Sequence, residues 1–196
     1  INYETPSFDW VLPTGSQIKS SPAIDDMGFI YVATMDGKLL KINDQGSSSE
    51  ISWQIDIQQE IEASPILDGS GNIIIVSAEG SIIKISPEGD ILWTSINENY
   101  QIIGTPAIDN NNNLFVALIS TSTDSTGSDT ALRRDIYTRI WGYDPDGIVF
   151  TKTNVPGAIE SSLLINQGDI YFGSTDGVIF KKSYPFFSEV RNEMPM

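Results

Sequence analysis

Apolar positions in this chain come in short bursts, each closed within a few residues by Gly, Asp, Asn or Ser. No stretch of useful length carries them at helical spacing, so strands and tight turns are predicted throughout and the fold class is all-β. The bursts Ile30–Thr34, Ile73–Ser77, Leu114–Leu118 and Ile170–Ser174 are β-branched and aromatic and nearly continuous in apolar character. Strands of that kind are covered on both faces by neighbouring sheets. Turns precede them at Asp25–Gly28, Asp68–Gly71 and Asp109–Asn113, where the residues tolerate positive φ. Asp36-Gly37, Glu79-Gly80 and Asp176-Gly177 mark a second hairpin, and Asn43–Gly46, Ser86–Gly89 and Asp144–Gly147 a third.

These strands and turns recur as a unit. Ser20–Ile42 is matched by Ala63–Ile85, by Gly104–Leu118 and, in worn form, by Ser161–Lys181. Pro22, Pro65, Pro106 and Leu163 stand at intervals of 43, 41 and 57 residues. The first two intervals suit one four-stranded propeller blade of about 40–45 residues. A second marker runs in phase: Trp10, Trp53, Trp93 and Phe150 lie 12 or 13 residues before those four positions. Each unit therefore reads as strands A (from Ser-Pro), B, C and D (the Trp strand). Phe8–Leu12 is an orphan D strand, and the last unit loses the pattern after Lys182. A latch is expected, in which Phe8–Leu12 completes the fourth blade.

The pattern Ser-Pro-Ala-Ile-Asp…Gly…Ile-Tyr-Val…Asp-Gly…Leu…Ile…Gly…Trp resembles the repeat of the PQQ-like (quinoprotein alcohol dehydrogenase-like) β-propellers, over about residues 8–182. The resemblance implies four-stranded antiparallel blades around a channel, with Trp10, Trp53, Trp93 and, by substitution, Phe150 docking between blades. Trp141 falls outside that series, on strand C of the third unit. The whole chain, 1–196, is expected to be a single propeller domain or part of one. Its D strand is 8–12, its blades lie at about 20–55, 63–95, 104–152 and 161–182, and an insertion loop spans 119–137. Members usually carry about six to eight blades, although four can close a ring. Part of a larger ring is preferred slightly over a closed four-blade ring, with further blades supplied by the same gene or a second chain. The resemblance also implies a location outside the cytoplasm: secreted, cell-surface or periplasmic. Ile1 in place of an initiator Met marks a processed product or a fragment.

Composition narrows the chemistry. The chain has no Cys and no His, which removes disulfides, thiol nucleophiles, the commonest general base and the commonest transition-metal ligand. The family's quinone, its metal, its catalytic Asp and its vicinal disulfide find no match here. No cofactor is therefore expected, PQQ included. Eleven Lys+Arg against 26 Asp+Glu give a net charge of −15, a field that repels nucleic acid and anionic membranes. No apolar run approaches the roughly 18 residues of a membrane span.

Candidate binding residues lie on the face that carries the B–C turns and D–A connections. Asp36, Glu79 and Asp176 occupy equivalent B–C corners and suggest a ring of carboxylates, although good hairpin turns explain the same residues more simply. The insertion Ile119–Tyr137 projects from that face and carries Arg133 and Arg134, suited to a carboxylate or a protein partner. Asp109–Asn113 offers oxygen ligands for Ca²⁺ without the ordered spacing of a calcium loop. Paired carboxylates for glycoside hydrolysis would need two groups about 5–10 Å apart, and no pair is singled out. The reading is a non-enzymatic scaffold for protein or glycan binding at the cell surface or in the periplasm. The alternative is a carboxylate-based polysaccharide hydrolase or lyase, with or without Ca²⁺.

Overall fold

The computed structural model describes residues 8–120, 138–155 and 157–184, and all of its ladders are antiparallel. The chain divides into two compact units, Ile1–Glu98 and Asn99–Met196.

The first unit holds two four-stranded sheets. One runs β1 (Ala23–Ile24), β2 (Ile30–Ala33), β3 (Lys38–Asp44) and β4 (Ser49–Asp56) in spatial order. The other runs β5 (Ile66–Leu67), β6 (Ile73–Val76), β7 (Ser81–Ile85) and β8 (Ile91–Ile96). Each is a meander whose strands take the roles A to D, so these are blades 1 and 2. They pack face to face: Tyr31, Ala33, Leu39 and Ile61 share a buried cluster with Ile73, Ile75, Ile83 and Ile85, flanked by Trp53, Ile55 and Leu67. The continuous apolar strands of the sequence arise here, because β6 and β7 are buried at every position.

The second unit holds blade 3, with β10 (Ala107–Ile108), β11 (Leu114–Ser120), β12 (Thr138–Tyr143) and β13 (Val149–Val155). Its core joins Phe115, Ala117, Ile140 and Val155 to Leu163, Ile170 and Phe172 of blade 4. Blade 4 is three-stranded among the described residues: β14 (Leu164–Asn166), β15 (Asp169–Gly173) and β16 (Ile179–Ser183). Where blades 3 and 4 meet, the backbones come so close that a Cβ on Gly104 would collide with the Ser161 carbonyl.

Three local features depart from the sequence expectations. Phe8–Leu12 forms no strand, and no fourth strand completes blade 4 among the described residues. A short extra strand, β9 (Tyr100–Gln101), pairs with the far end of β11. That pairing extends strand B to Ser120, so Ile119 and Ser120 belong to the sheet and not to the insertion.

The third departure concerns Phe150. The C–D ladder shifts register at the same point in three blades: after Lys41, after Lys84 and after Gly142. Trp53 stands opposite Lys41 and Trp93 opposite Lys84, whereas Thr151 stands opposite Gly142. Phe150 therefore lies one residue early, in the bulge. It still turns its ring over Gly142, where a Cβ would come within 2.6 Å of Phe150 Cζ, and meets Phe115 edge-on at 5.7 Å. A missing side chain on strand C makes that space.

Candidate functional site

The B–C corners are built alike in blades 1, 2 and 4. The residue just after strand B closes a four-residue turn by accepting from the glycine amide: Gly37 to Thr34 O, Gly80 to Ser77 O and Gly177 to Ser174 O, at 3.0, 3.1 and 3.0 Å. Each glycine has positive φ (89°, 88° and 79°). At Gly37 a side chain is excluded twice, since its Cβ would also sit 2.6 Å from Gln59 O. The residue before the carboxylate donates its amide to the D–A connection entering the same blade. Met35 donates to Gln17 O, Ala78 to Glu60 O and Thr175 to Ala158 O, at 2.8, 2.8 and 2.9 Å. Turn and connection thus form one hydrogen-bonded mount, and its tip is the exposed Asp36, Glu79 or Asp176.

Asp36 is the most tightly held of the three. Thr34 Oγ1 donates to Oδ1 at 2.6 Å and Lys38 Nζ to Oδ2 at 2.5 Å. Those two bonds, Lys38 first, with help from Ser16, lower its pKa to about 2. An ionised acceptor with that environment is unsuited to donate a proton, the task for which a glycosidase raises a carboxyl pKa. Asp176 leans the same way: its Oδ2 lies 2.7 Å from where a Cβ on Gly157 would stand. Gly157 occupies the place in its connection that Ser16 holds in the first. In blade 2 that place belongs to Gln59, which accepts from Ser77 Oγ at 2.7 Å. Neighbouring connections in the first unit are tied by Lys19 and Glu62, 43 residues apart and 2.5 Å from contact atom to contact atom. Arg133, Arg134 and the rest of the insertion through Tyr137 lie outside the described residues.

The calcium candidate Asp109–Asn113 is an A–B turn held by its own aspartate. Asp109 Oδ1 accepts from the amides of Asn111 and Asn113, and Oδ2 from Asn113 Nδ2, all at 2.8 or 2.9 Å. Asp25 and Asp68 spend their carboxylates on the equivalent A–B turns in the same way. Among the described residues no cluster of three or more carboxylates could hold an ion. The strand-A serines are likewise accounted for by the blade: Ser20 Oγ donates to Ala33 O at 2.9 Å, and Ser161 Oγ to Gly173 O at 3.0 Å.

A lysine at one point of strand C escaped the sequence reading. Lys41, Lys84 and Lys181 stand opposite Tyr31, Ile74 and Tyr171 of strand B. Lys41 reaches across to Pro87 O at 2.9 Å and lies 4.1 Å from the Phe29 ring centre. Lys84 pairs with Asp68 and Lys181 with Asp169. The signal was present in the repeated Leu-Leu-Lys-Ile and Ile-Ile-Lys-Ile strings, but their partners lie on other strands.

No family model and no curated protein matches this chain. Solved structures do. BamB from Moraxella catarrhalis is similar over 87% of this chain, at 15% identity and a TM-score of 0.53, and the chain spans 62% of it. The computationally designed Ika4 protein is similar over 92% of this chain and 100% of its own, at 13% identity and a TM-score of 0.68. The C-terminal WD40 domain of Sif2 is similar over 89% of this chain, at 16% identity and 0.67, and the chain spans 48% of it. With four antiparallel sheets in sequence order, the fold is a β-propeller.

Proposed function

We propose that this chain is a non-enzymatic propeller scaffold of the PQQ-like kind, acting outside the cytoplasm and binding a protein or glycan on its B–C and D–A face. The observation that carries the reading is the repeated corner mount, which holds a carboxylate outward on a turn fixed at both ends. Preorganised acceptors of that kind bind without paying much ordering entropy. Asp36, kept ionised down to about pH 2, and a net charge of −15 favour a basic protein surface as the occupant. The extracytoplasmic location rests on the repeat resemblance.

Interferometry against a lysine-rich peptide and a panel of neutral oligosaccharides tests this. The Asp36→Asn/Glu79→Gln double variant is expected to weaken peptide binding by roughly tenfold, with a loss of similar size on raising salt. Unchanged binding removes the carboxylate corners from the interface, and binding to the neutral sugars alone makes the partner a glycan. Turnover of any sugar, abolished by Glu79→Gln, overturns the non-enzymatic reading.

A further inference from the structure

Blade 2 shows what a finished blade-to-blade joint contains. Its receiving side, Leu67, Ile73, Ile75, Ile83 and Ile85, is covered by Tyr31, Ala33, Leu39, Trp53 and Ile55 of blade 1. The joint is sealed by Trp53, whose Nε1 donates to Pro87 O in the C–D turn of blade 2 at 3.0 Å.

Blade 1 carries the same receiving side 43 residues earlier, as Ile24, Ile30, Val32, Leu40 and Ile42. Trp10 seals it as Trp53 seals blade 2: its Nε1 donates to Asp44 Oδ1, in the C–D turn, at 3.0 Å. Leu12 packs against Val32, Leu40 and Ile42. Thus the place of an incoming strand D is taken by Phe8–Leu12; Val32, Leu40 and Ile42 are already buried, and the apolar face is left open toward Ile24. A groove of ≈ 290 Å³ remains there, walled by Trp10, Leu12, Ile18, Ile24, Ile30 and Val32. Ile24 is 64% exposed at its rim.

Blade 4 is the complement. It has strands A, B and C, and among the described residues no D strand pairs with the far edge of β16. Its covering side is exposed at apolar positions. Ile179, two residues past the turn glycine as Leu39 is, is 83% exposed where Leu39 is 0%. Leu164, in one cross-strand row with Tyr171 and Lys181, is 64% exposed. Apolar sheet faces and free edges of this kind mark association sites.

We propose that a second copy of this chain fills both gaps. Blade 4 of one copy seats on blade 1 of the other and takes that copy's Phe8–Leu12 as its fourth strand, pairing it with β16. The contact is head to tail, and with two copies it closes on itself, because each gives one blade 4 and one blade 1. Strand D of the joint, with its Trp10, comes from one chain and strands A to C from the other.

Size-exclusion chromatography with light scattering, at about 10–100 µM protein, is expected to give twice the chain mass of 21.5 kDa. Ile24→Asp and Ile179→Asp alter exposed positions and should each give monomers with unchanged far-UV circular dichroism. Mixing the two variants should restore a dimer, since one joint between them is intact. Should Ile179→Asp disturb the fold, Leu164→Asp on the same side serves in its place. A monomeric wild-type chain, which is the result of closure within one copy, overturns the proposal. So does a dimer that survives both variants, or a mixture that stays monomeric.

Discussion

Blades 2 and 4 place a lysine at the same point of strand C and surround it differently. In blade 2, Lys84 Nζ lies 2.9 Å from Asp68 Oδ2, and the two side chains are 8% and 2% exposed. In blade 4, Lys181 Nζ lies 2.6 Å from Asp169 Oδ2, with 55% and 21% exposed. The shorter contact is the weaker contributor. Charges in water keep most of their solvation and gain little from pairing, whereas a buried pair is costly to assemble and costlier to break. At Asp68, burial pushes the carboxyl up, but hydrogen bonds from Asn72, Lys84 and the turn amides prevail and hold it below its usual value. At Asp169, the Lys181 and Ser183 hydrogen bonds lower it against little burial. Identical repeat positions thus carry different energies, set by whether a neighbouring sheet covers them.

The largest expected effect comes from removing each lysine. Lys84→Ala leaves Asp68 buried without its cation and should cost about 3–5 kcal/mol in urea unfolding. Lys181→Ala, measured in the monomeric Ile24→Asp background so that association does not enter, should shift the midpoint far less, since both groups keep their water. Equal losses would break the comparison. The turn glycines sharpen it on the backbone. Gly37→Ala meets both an unfavourable φ and the Gln59 backbone at 2.6 Å, whereas Gly177→Ala meets nothing within 4 Å. The first should cost more than roughly 2 kcal/mol and the second about 1 kcal/mol, read from unfolding midpoints in that background.

Acid titration gives the smallest effect. Asp36, Asp68 and Asp169 are all lowered in the folded chain, Asp36 to about 2. A carboxyl lowered by folding stabilises above its unfolded value, about 3.9, and that contribution is lost as pH falls through the folded one. The urea midpoint should therefore decline between about pH 4 and pH 2. Asp36→Asn should flatten the lower part of that decline. A midpoint that stays level across the window would show that these hydrogen bonds persist equally in the unfolded chain.

The blade plan was legible because its signals are local. An Asp-Gly or Glu-Gly pair needs only its own φ preference to make a turn, and the A–B aspartates bond amides two and four residues on. What the sequence hid depends on partners far along the chain. Phe150 sits at the expected spacing, yet a one-residue bulge moves it off the Trp position, and only the ladder reveals that. Trp10 was read as the docking residue of a latch strand; the sequence did not show its partner, Asp44 of blade 1, which also accepts from the Gly46 amide of the C–D turn. Asp36, Glu79 and Asp176 were readable as corners, but the mounts behind them join segments some 20 residues apart, such as Met35 to Gln17 and Ala78 to Glu60.

The tryptophan seals also impose an order on synthesis. Trp10 to Asp44 and Trp53 to Pro87 both span 34 residues. A tryptophan leaving the ribosome therefore waits for the next blade's C–D turn, a delay of roughly 2–7 s at 5–20 residues per second. During each interval the nascent chain exposes one indole and one apolar sheet face, and the next repeat relieves both. In the first unit, growth from the N-terminus thus leaves the covering face of blade 1 open until blade 2 closes it.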